Sequence, residues 1–331
     1  MQTKWNMELT YIKAINDALK ISMREDGDVI LIGEDIGALG GAFLATEGLL
    51  DEFGPMRVID SPISESLIVG AAVGAAVAGL RPVAEIQFAD FISCGFDQLV
   101  NMAATLRYRH GGKAKCPMVV RCPSGSGVRG GLFHSQNPEA WFTRVPGLKV
   151  VAPATAFDAK GLLMAAIQDD DPVVYFEHKF LYRRVKEDVP EASYIVPIGK
   201  AALRREGTDI CLITYGSALY HCMDAAAQLE KEGVSSEVID LRTLLPLDRE
   251  AILRGAKKTG KVLIVHEDRL TGGIGGEVAA IIAENAFEHL DAPVMRLGMR
   301  DTHNAFAASM EAYILPDKEK VLAAARKLAG Y

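Results

Sequence analysis

A single carboxylate, Glu65, opens a stretch of fifteen residues, Ser66 to Leu80, that holds no other charge. Such a group has two uses. With Ser61 and Ser64 it can satisfy the free amides and the dipole of a helix start, or it can order and exchange a proton with a bound molecule. The stretch behind it favours a working role. Gly70, Gly74 and Gly79 sit among Ala71, Ala72, Ala75, Ala76 and Ala78, and each glycine costs a helix about 1 kcal/mol relative to alanine. A helix so weakened needs close packing, against the core or across a subunit contact, with Glu65 poorly solvated at its entrance. Fifteen uncharged residues fall short of the roughly 20 that cross a bilayer, so a core helix is expected.

Three other places carry groups of the same kind. Glu34 and Asp35 follow Val29-Ile30-Leu31-Ile32, which reads as a short strand, and ligands collect at the carboxyl edge of an open α/β sheet. Solvated loop charges are the equal alternative. Gln87 shares an alternating face with Glu85 on a strand expected over 83–88, and a polar group inside a buried strand needs a partner. His134 comes just beyond a glycine-rich run, 124–131, whose backbone can approach a ligand or another subunit closely. It is either a satisfied structural side chain or a group placed for proton transfer.

The elements that must hold these groups follow from apolar spacing. Tyr11, Ile12, Ile15, Ala18, Leu19 and Met23 recur at helical intervals over about 9–24. After a turn at 40–43, a helix is expected near 46–53, a strand at 57–60, the Glu65 helix, and another helix over 96–108. Strands at 118–121, 148–151 and 173–176, with a helix over 156–167, complete an alternation that marks a parallel sheet covered by helices. Charge and proline over 183–197 read as an interdomain linker. Beyond it, strands at 210–215, 236–239, 262–265 and 294–297 alternate with helices at about 217–232, 248–258, 277–289 and 317–329. The expected fold class is α/β, two domains with mainly parallel sheets flanked by helices. Their bounds are 1–184 and 204–331, with the linker at 185–203.

Composition narrows the partners. At 331 residues the chain is long enough for two cores, and 49% hydrophobic with 24% charged residues is ordinary for a soluble globular protein. A formal net charge of −7 argues against nucleic acid or an anionic membrane as the main partner. The five cysteines are odd in number and mostly embedded in apolar runs, which fits reduced thiols. Cys116 and Cys122 lack zinc-site spacing. The start, MQTKWNMELTYIKAINDALK, has no apolar signal core, so a cytoplasmic location is expected.

Two motifs fail on inspection. Gly255 to Lys261 nearly spells a P-loop, but Val262 stands where Ser or Thr would bind magnesium, and the run precedes its strand instead of following one. Gly272-Gly-Ile-Gly-Gly276 before a helix departs from GxGxxG and has several structural explanations. Neither GxSxG nor HExxH occurs. A hydrolase or metalloprotease reading has no support.

Taken together, GED (33–35), GGAF (40–43), SPISES (61–66), AEIQFADF (84–91), FHSQNPEAWF (133–142), DAKGLL (158–163) and VIDLRTLLPLD (238–248) resemble the β subunit of thiamine-diphosphate-dependent 2-oxo acid dehydrogenases. These are the E1 components of complexes that also hold a lipoyl acyltransferase. The resemblance covers essentially the whole chain in order. It implies a transketolase-like pyrimidine-binding domain followed by a transketolase C-terminal domain, and assembly as a heterotetramer of two α and two β chains. The α chain would supply the diphosphate and magnesium site through a GDG motif with a downstream Asn, and that motif is missing here.

By the same resemblance, Glu65 matches the carboxylate that hydrogen-bonds N1′ of the cofactor pyrimidine. A carboxylate there favours the imino tautomer, whose 4′ nitrogen takes the proton from thiazolium C2. Ile63, Gln87 and Phe91 fall around the pyrimidine; many relatives carry Tyr at Phe91, so here the stacking face is kept without the hydroxyl. His134 matches the histidine that positions substrate and passes protons during transfer to the lipoyl group. Glu34 and Asp97 match carboxylates of a polar tunnel between two cofactors, and Cys94 stands where some relatives have another acid. Ala166, Asp169 and Asp171 fall in a loop that binds a monovalent cation, K+, in some relatives. GGLFHSQ and EIQFADF look most like branched-chain 2-oxo acid enzymes, with pyruvate or acetoin as the alternative and a noncatalytic assembly subunit as the alternative class. At 301–306 the chain reads DTHNAF where relatives usually have DTPFP.

Overall fold

The computed structural model describes residues 6–331. The reading of the chain start as non-secretory rests partly on residues 1–5, outside the described residues. The chain divides into two compact units, 1–124 with 141–198, and 125–140 with 199–331.

The first unit holds strands β1 (Asn6–Thr10), β2 (Val29–Glu34), β3 (Val58–Ser61), β4 (Arg81–Glu85), β5 (Val119–Ser124), β6 (Lys149–Val151), β7 (Val173–His178) and β8 (Lys186–Pro190). Its helices are α1 (Tyr11–Glu25), α2 (Leu49–Phe53), α3 (Glu65–Val77), α4 (Ala104–Arg109) and α6 (Ala156–Gln168); the short α5 (Glu139–Phe142) crosses the division. Six strands form a parallel sheet in the order β6-β7-β5-β4-β2-β3. Every residue of β5 and β7 is buried, as expected for central strands covered on both faces. Helix α1 follows the expected spacing, burying Ile12, Ile15, Leu19 and Met23, and packs on α6.

Two expectations are corrected here. The 185–203 segment is not a linker throughout, because Lys186–Pro190 is a strand that pairs antiparallel with Asn6–Thr10, a strand that apolar spacing also missed. Lys186–Pro190 is short, charged and buries only Val189, and Asn6–Thr10, although it alternates, is short and runs straight into α1. The helix expected over 96–108 is a π-helical stretch Gln98–Ala103 that runs into α4, and a 3₁₀ segment Ala89–Gly95 precedes it.

The second unit holds β9 (Ala202–Arg205), β10 (Ile210–Thr214), β11 (Ser236–Asp240), β12 (Thr243–Leu245), β13 (Val262–Arg269) and β14 (Met295–Met299). Five of them form a sheet ordered β14-β13-β10-β11-β9, parallel except for β9. Helices α7 (Ala218–Lys231), α8 (Arg249–Thr259), α9 (Gly275–Ala286), α10 (Ala308–Ile314) and α11 (Lys318–Ala329) accompany it. Asp248 and Asp317 cap α8 and α11, each accepting from a backbone amide three residues on.

Candidate active site

In the first unit, parallel strands deliver their carboxyl ends to one edge. Glu34 ends β2, Ser61 ends β3 and Glu85 ends β4, and Glu65 begins α3 a few residues beyond β3. The serines do not play the capping part open to them. Ser64 stands at the N-cap without a side-chain bond to the helix, and the Ser61 hydroxyl donates to Pro62 O at 2.9 Å. Glu65 is half-buried in the first turn. Burial, and then the charges of Asp35, Glu65 and Asp60, raise the pKa of Glu34. Three neighbouring carboxyl charges therefore act on Glu34 at this edge.

Helix α3 buries only one face, Ile68, Val69, Ala72 and Ala76, while Leu67 and Val77 are exposed. The full burial expected from its composition is not reached within this chain. Its close packing is real on one side: a Cβ on Gly95 would stand 2.7 Å from Val69 Cγ2, so the 3₁₀ segment carrying Phe91 lies tight against the helix. Phe91 meets Phe88 edge to face at 6.4 Å. Gln87 lies past the end of β4, not within it, and its Nε2 donates to Asp35 Oδ2 at 3.3 Å. Ile63 is 73% exposed. Asp97 is also exposed, accepting from Asn101 Nδ2 at 2.7 Å on its own helical stretch.

Beneath this edge lies a buried ion cluster that sequence spacing did not signal. Arg121 donates to Glu177 at 2.5 and 2.8 Å and to Glu85 at 2.5 Å, and Tyr182 donates to Glu177 at 2.7 Å. Burial opposes the Arg121 charge, yet the two carboxylates outweigh it and raise its pKa. Removing one member would strand a buried charge, which is the costly case.

His134 belongs to the second unit. Half-buried, it follows the 3₁₀ turn Gly131–Phe133. Five residues on, Glu139 is fully buried with Oε1 accepting from Asn137 Nδ2 at 3.1 Å. Burial first, and then the nearby Asp268 carboxyl, push Glu139 up to about 8. Asp268 is itself pushed up to about 6 by burial. Sequence reasoning missed this pair because each acid is unremarkable until β13 and the 125–140 segment come together.

Known proteins match this arrangement over the whole chain. Residues 7–185 match the transketolase pyrimidine binding domain and 199–321 the transketolase C-terminal domain. The 2-oxoisovalerate dehydrogenase subunit beta of Bacillus subtilis is 51% identical over 324 residues, 98% of this chain and 99% of that one. The chain belongs to the β subunits of 2-oxo acid dehydrogenases. Pyruvate dehydrogenase E1 component subunits beta of Staphylococcus epidermidis and Bacillus subtilis are 45% and 44% identical, covering 96% and 98% of this chain and 98% and 99% of theirs. A solved split gene transketolase, described as an inactive beta4 tetramer, shares the fold at a TM-score of 0.79 and 23% identity, covering 98% of this chain and 99% of that one.

In this β subunit the loop that carries Ala166, Asp169 and Asp171 is tied to basic side chains from other elements. Lys149 Nζ bonds both Asp169 carboxylate oxygens at 2.7 and 2.6 Å. Arg81 Nη1 takes the carbonyls of Ile167 and Asp169 at 3.1 and 3.0 Å, and Arg107 pairs with Asp171. The carbonyl of Ala166 accepts from Asp169 N at 3.3 Å. Among the described residues, no group of three or more His, Cys, Asp or Glu could hold a metal ion.

Proposed function

We propose that this chain is the β subunit of a branched-chain 2-oxo acid dehydrogenase, working with an α subunit and thiamine diphosphate and passing its acyl product to the lipoyl group of an acyltransferase. The observation that carries the reading is the placement of Glu65 in the first turn of α3, just beyond β3 and near the β2 end that carries Glu34 and Asp35. An aminopyrimidine fits that edge. It offers a ring nitrogen to a carboxylate and a flat face to apolar side chains, here Glu65 with Ile63 and Phe91. Bound thiamine diphosphate supplies the electron sink for decarboxylation. Glu65 holds a proton at the pyrimidine N1′, Gln87 braces Asp35 beside it, and His134 orders the substrate and passes protons during acyl transfer. Magnesium and the diphosphate fall to the α subunit.

The higher identity to a 2-oxoisovalerate enzyme than to pyruvate enzymes favours the branched substrate. Pyruvate is the second reading, carried by the relatives at 45% and 44%. Reduction of an artificial electron acceptor with 3-methyl-2-oxobutanoate, pyruvate or acetoin as substrate, by the chain co-expressed with an α subunit, separates them. Preference for the branched acid is expected. Preference for pyruvate or acetoin would move the substrate, and an intact but inactive assembly would favour a noncatalytic role.

A further inference from the structure

The segment 125–140, which carries His134, is rich in glycine and short of regular structure. Gly125, Gly127, Arg129 and Gly131 all have positive φ, at 93°, 82°, 59° and 65°. A run of this kind has many conformations open to it, yet its polar groups are tied at named points. Within the segment, Gly125 N donates to Gln136 O at 3.1 Å, Gly130 N to Ser135 Oγ at 3.0 Å, and Ser126 Oγ to Ser135 O at 2.9 Å.

The remaining ties come from the C-terminal part of the same unit. Asn304 is 4% exposed, and its Nδ2 donates to both Ser126 Oγ and Ser135 O at 2.8 Å. Ser135 is the residue next to His134. Glu311, on α10 and 7% exposed, accepts from Gly127 N at 2.9 Å and Arg129 N at 3.3 Å through one oxygen, Oε1. Glu267 Oε1 accepts from Ser126 N at 2.6 Å. The Phe306 ring closes over the bare backbone of Gly131, where a Cβ would lie 2.3 Å from it. Asn304 and Phe306 both belong to the DTHNAF stretch, so the segment in which this chain departs from DTPFP is the one that grips the histidine loop.

We propose that Asn304 and Glu311 are positioning residues for His134, fixing the glycine-rich segment in one conformation so that the imidazole is held ready for proton transfer. Glu311 does this by gathering two amides that face the same side of the turn, and Asn304 by bridging the two ends of the loop. The proposal rests on the role given to His134 above, and its first test does not depend on that role.

Arg129 is exposed in the middle of the loop and gives trypsin a cut site whose use reports opening. In the full chain assembled with its α subunit, Asn304→Ala and Glu311→Ala are expected to be cut after Arg129 about tenfold faster than wild type, because proteolysis follows the open population. Glu311→Gln keeps an acceptor oxygen and should be cut like wild type. Hydrogen exchange on the unmodified protein gives an independent reading, in which the amides of Gly127 and Arg129 should be protected. Unprotected amides there, or a variant that folds with unchanged cleavage, overturn the clamp. For function, Asn304→Ala should lower kcat for acyl transfer to a lipoyl domain by about tenfold or more, since small misplacement of a reacting group is costly, with KM for the 2-oxo acid nearly unchanged. A loop that opens with acyl transfer unaffected overturns the positioning role. His134→Ala tells the failures apart: wild-type acyl transfer in that variant removes the role of His134, whereas the cleavage pattern judges the clamp alone.

Discussion

Glu65 is where residue chemistry and function meet. Its carboxylate lies in the first turn of α3 with no cap bond from Ser64, and its charge reaches Glu34. Substituting Glu65→Gln keeps the size and removes the negative charge. The α and β chains should still assemble, while decarboxylation should fall by roughly 100-fold or more, the range of a lost acid-base group. Gel filtration paired with a turnover assay checks this, and near-normal turnover would refute the role. Gln87 carries a softer expectation, because its bond to Asp35 is long at 3.3 Å.

At the scale of elements, the site depends on how closely the 3₁₀ segment Ala89–Gly95 lies against α3. Val69 is fully buried and its Cγ2 stands 2.7 Å from where a Gly95 Cβ would be. A Cβ at position 95 would force the segment or the helix to shift. Gly95→Ala should cost about 1–3 kcal/mol, the usual penalty for overpacking a filled interior. Adding Val69→Ala should return part of that loss by opening the space. Urea midpoints of the two single variants and the double variant test the coupling; strictly additive losses would mean the contact is not what makes glycine necessary.

At the scale of the folded molecule, stability should depend on pH through buried groups, several of them in the second unit. Glu139, ordinarily near 4.5, is pushed up to about 8, so the folded state holds its proton more tightly than the unfolded chain does. Its contribution is full below 4.5 and is lost as pH rises through about 8. Asp268 acts in the same sense, between 3.8 and about 6. His266, buried and pushed down from 6.5 to about 4, acts in the opposite sense: its contribution is full above 6.5 and is lost as pH falls through about 4. Between roughly pH 6.5 and 8.5 Glu139 therefore contributes a falling stability, in the same sense as Glu85 and Glu34, whose pKa burial also raises. Denaturation midpoints should fall across that window in the wild-type chain and fall less steeply in Glu139→Gln. An unchanged slope in the variant would place the titrating group elsewhere.

Periodicity and residue type determined much of this protein unaided. The α/β alternation, the strand end that carries Glu34, the helix start at Glu65, and most strands and helices were legible because burial imposes a repeat of two or 3.6 on the chain. Helix caps such as Asp248 and Asp317 were local enough to sit in the sequence as well. Tertiary structure alone decided the rest, since the partners are far apart along the chain. Arg121 reads as one basic residue in a strand until β4, β5 and β7 align it with Glu85 and Glu177. The acidic run 169–171 reads as three surface charges until Lys149, Arg81 and Arg107 reach it from three other places. The loop of His134 gathers with residues more than a hundred positions away, Asn304 and Glu311, because glycine-rich backbone has little local preference and takes its shape from whatever satisfies its amides.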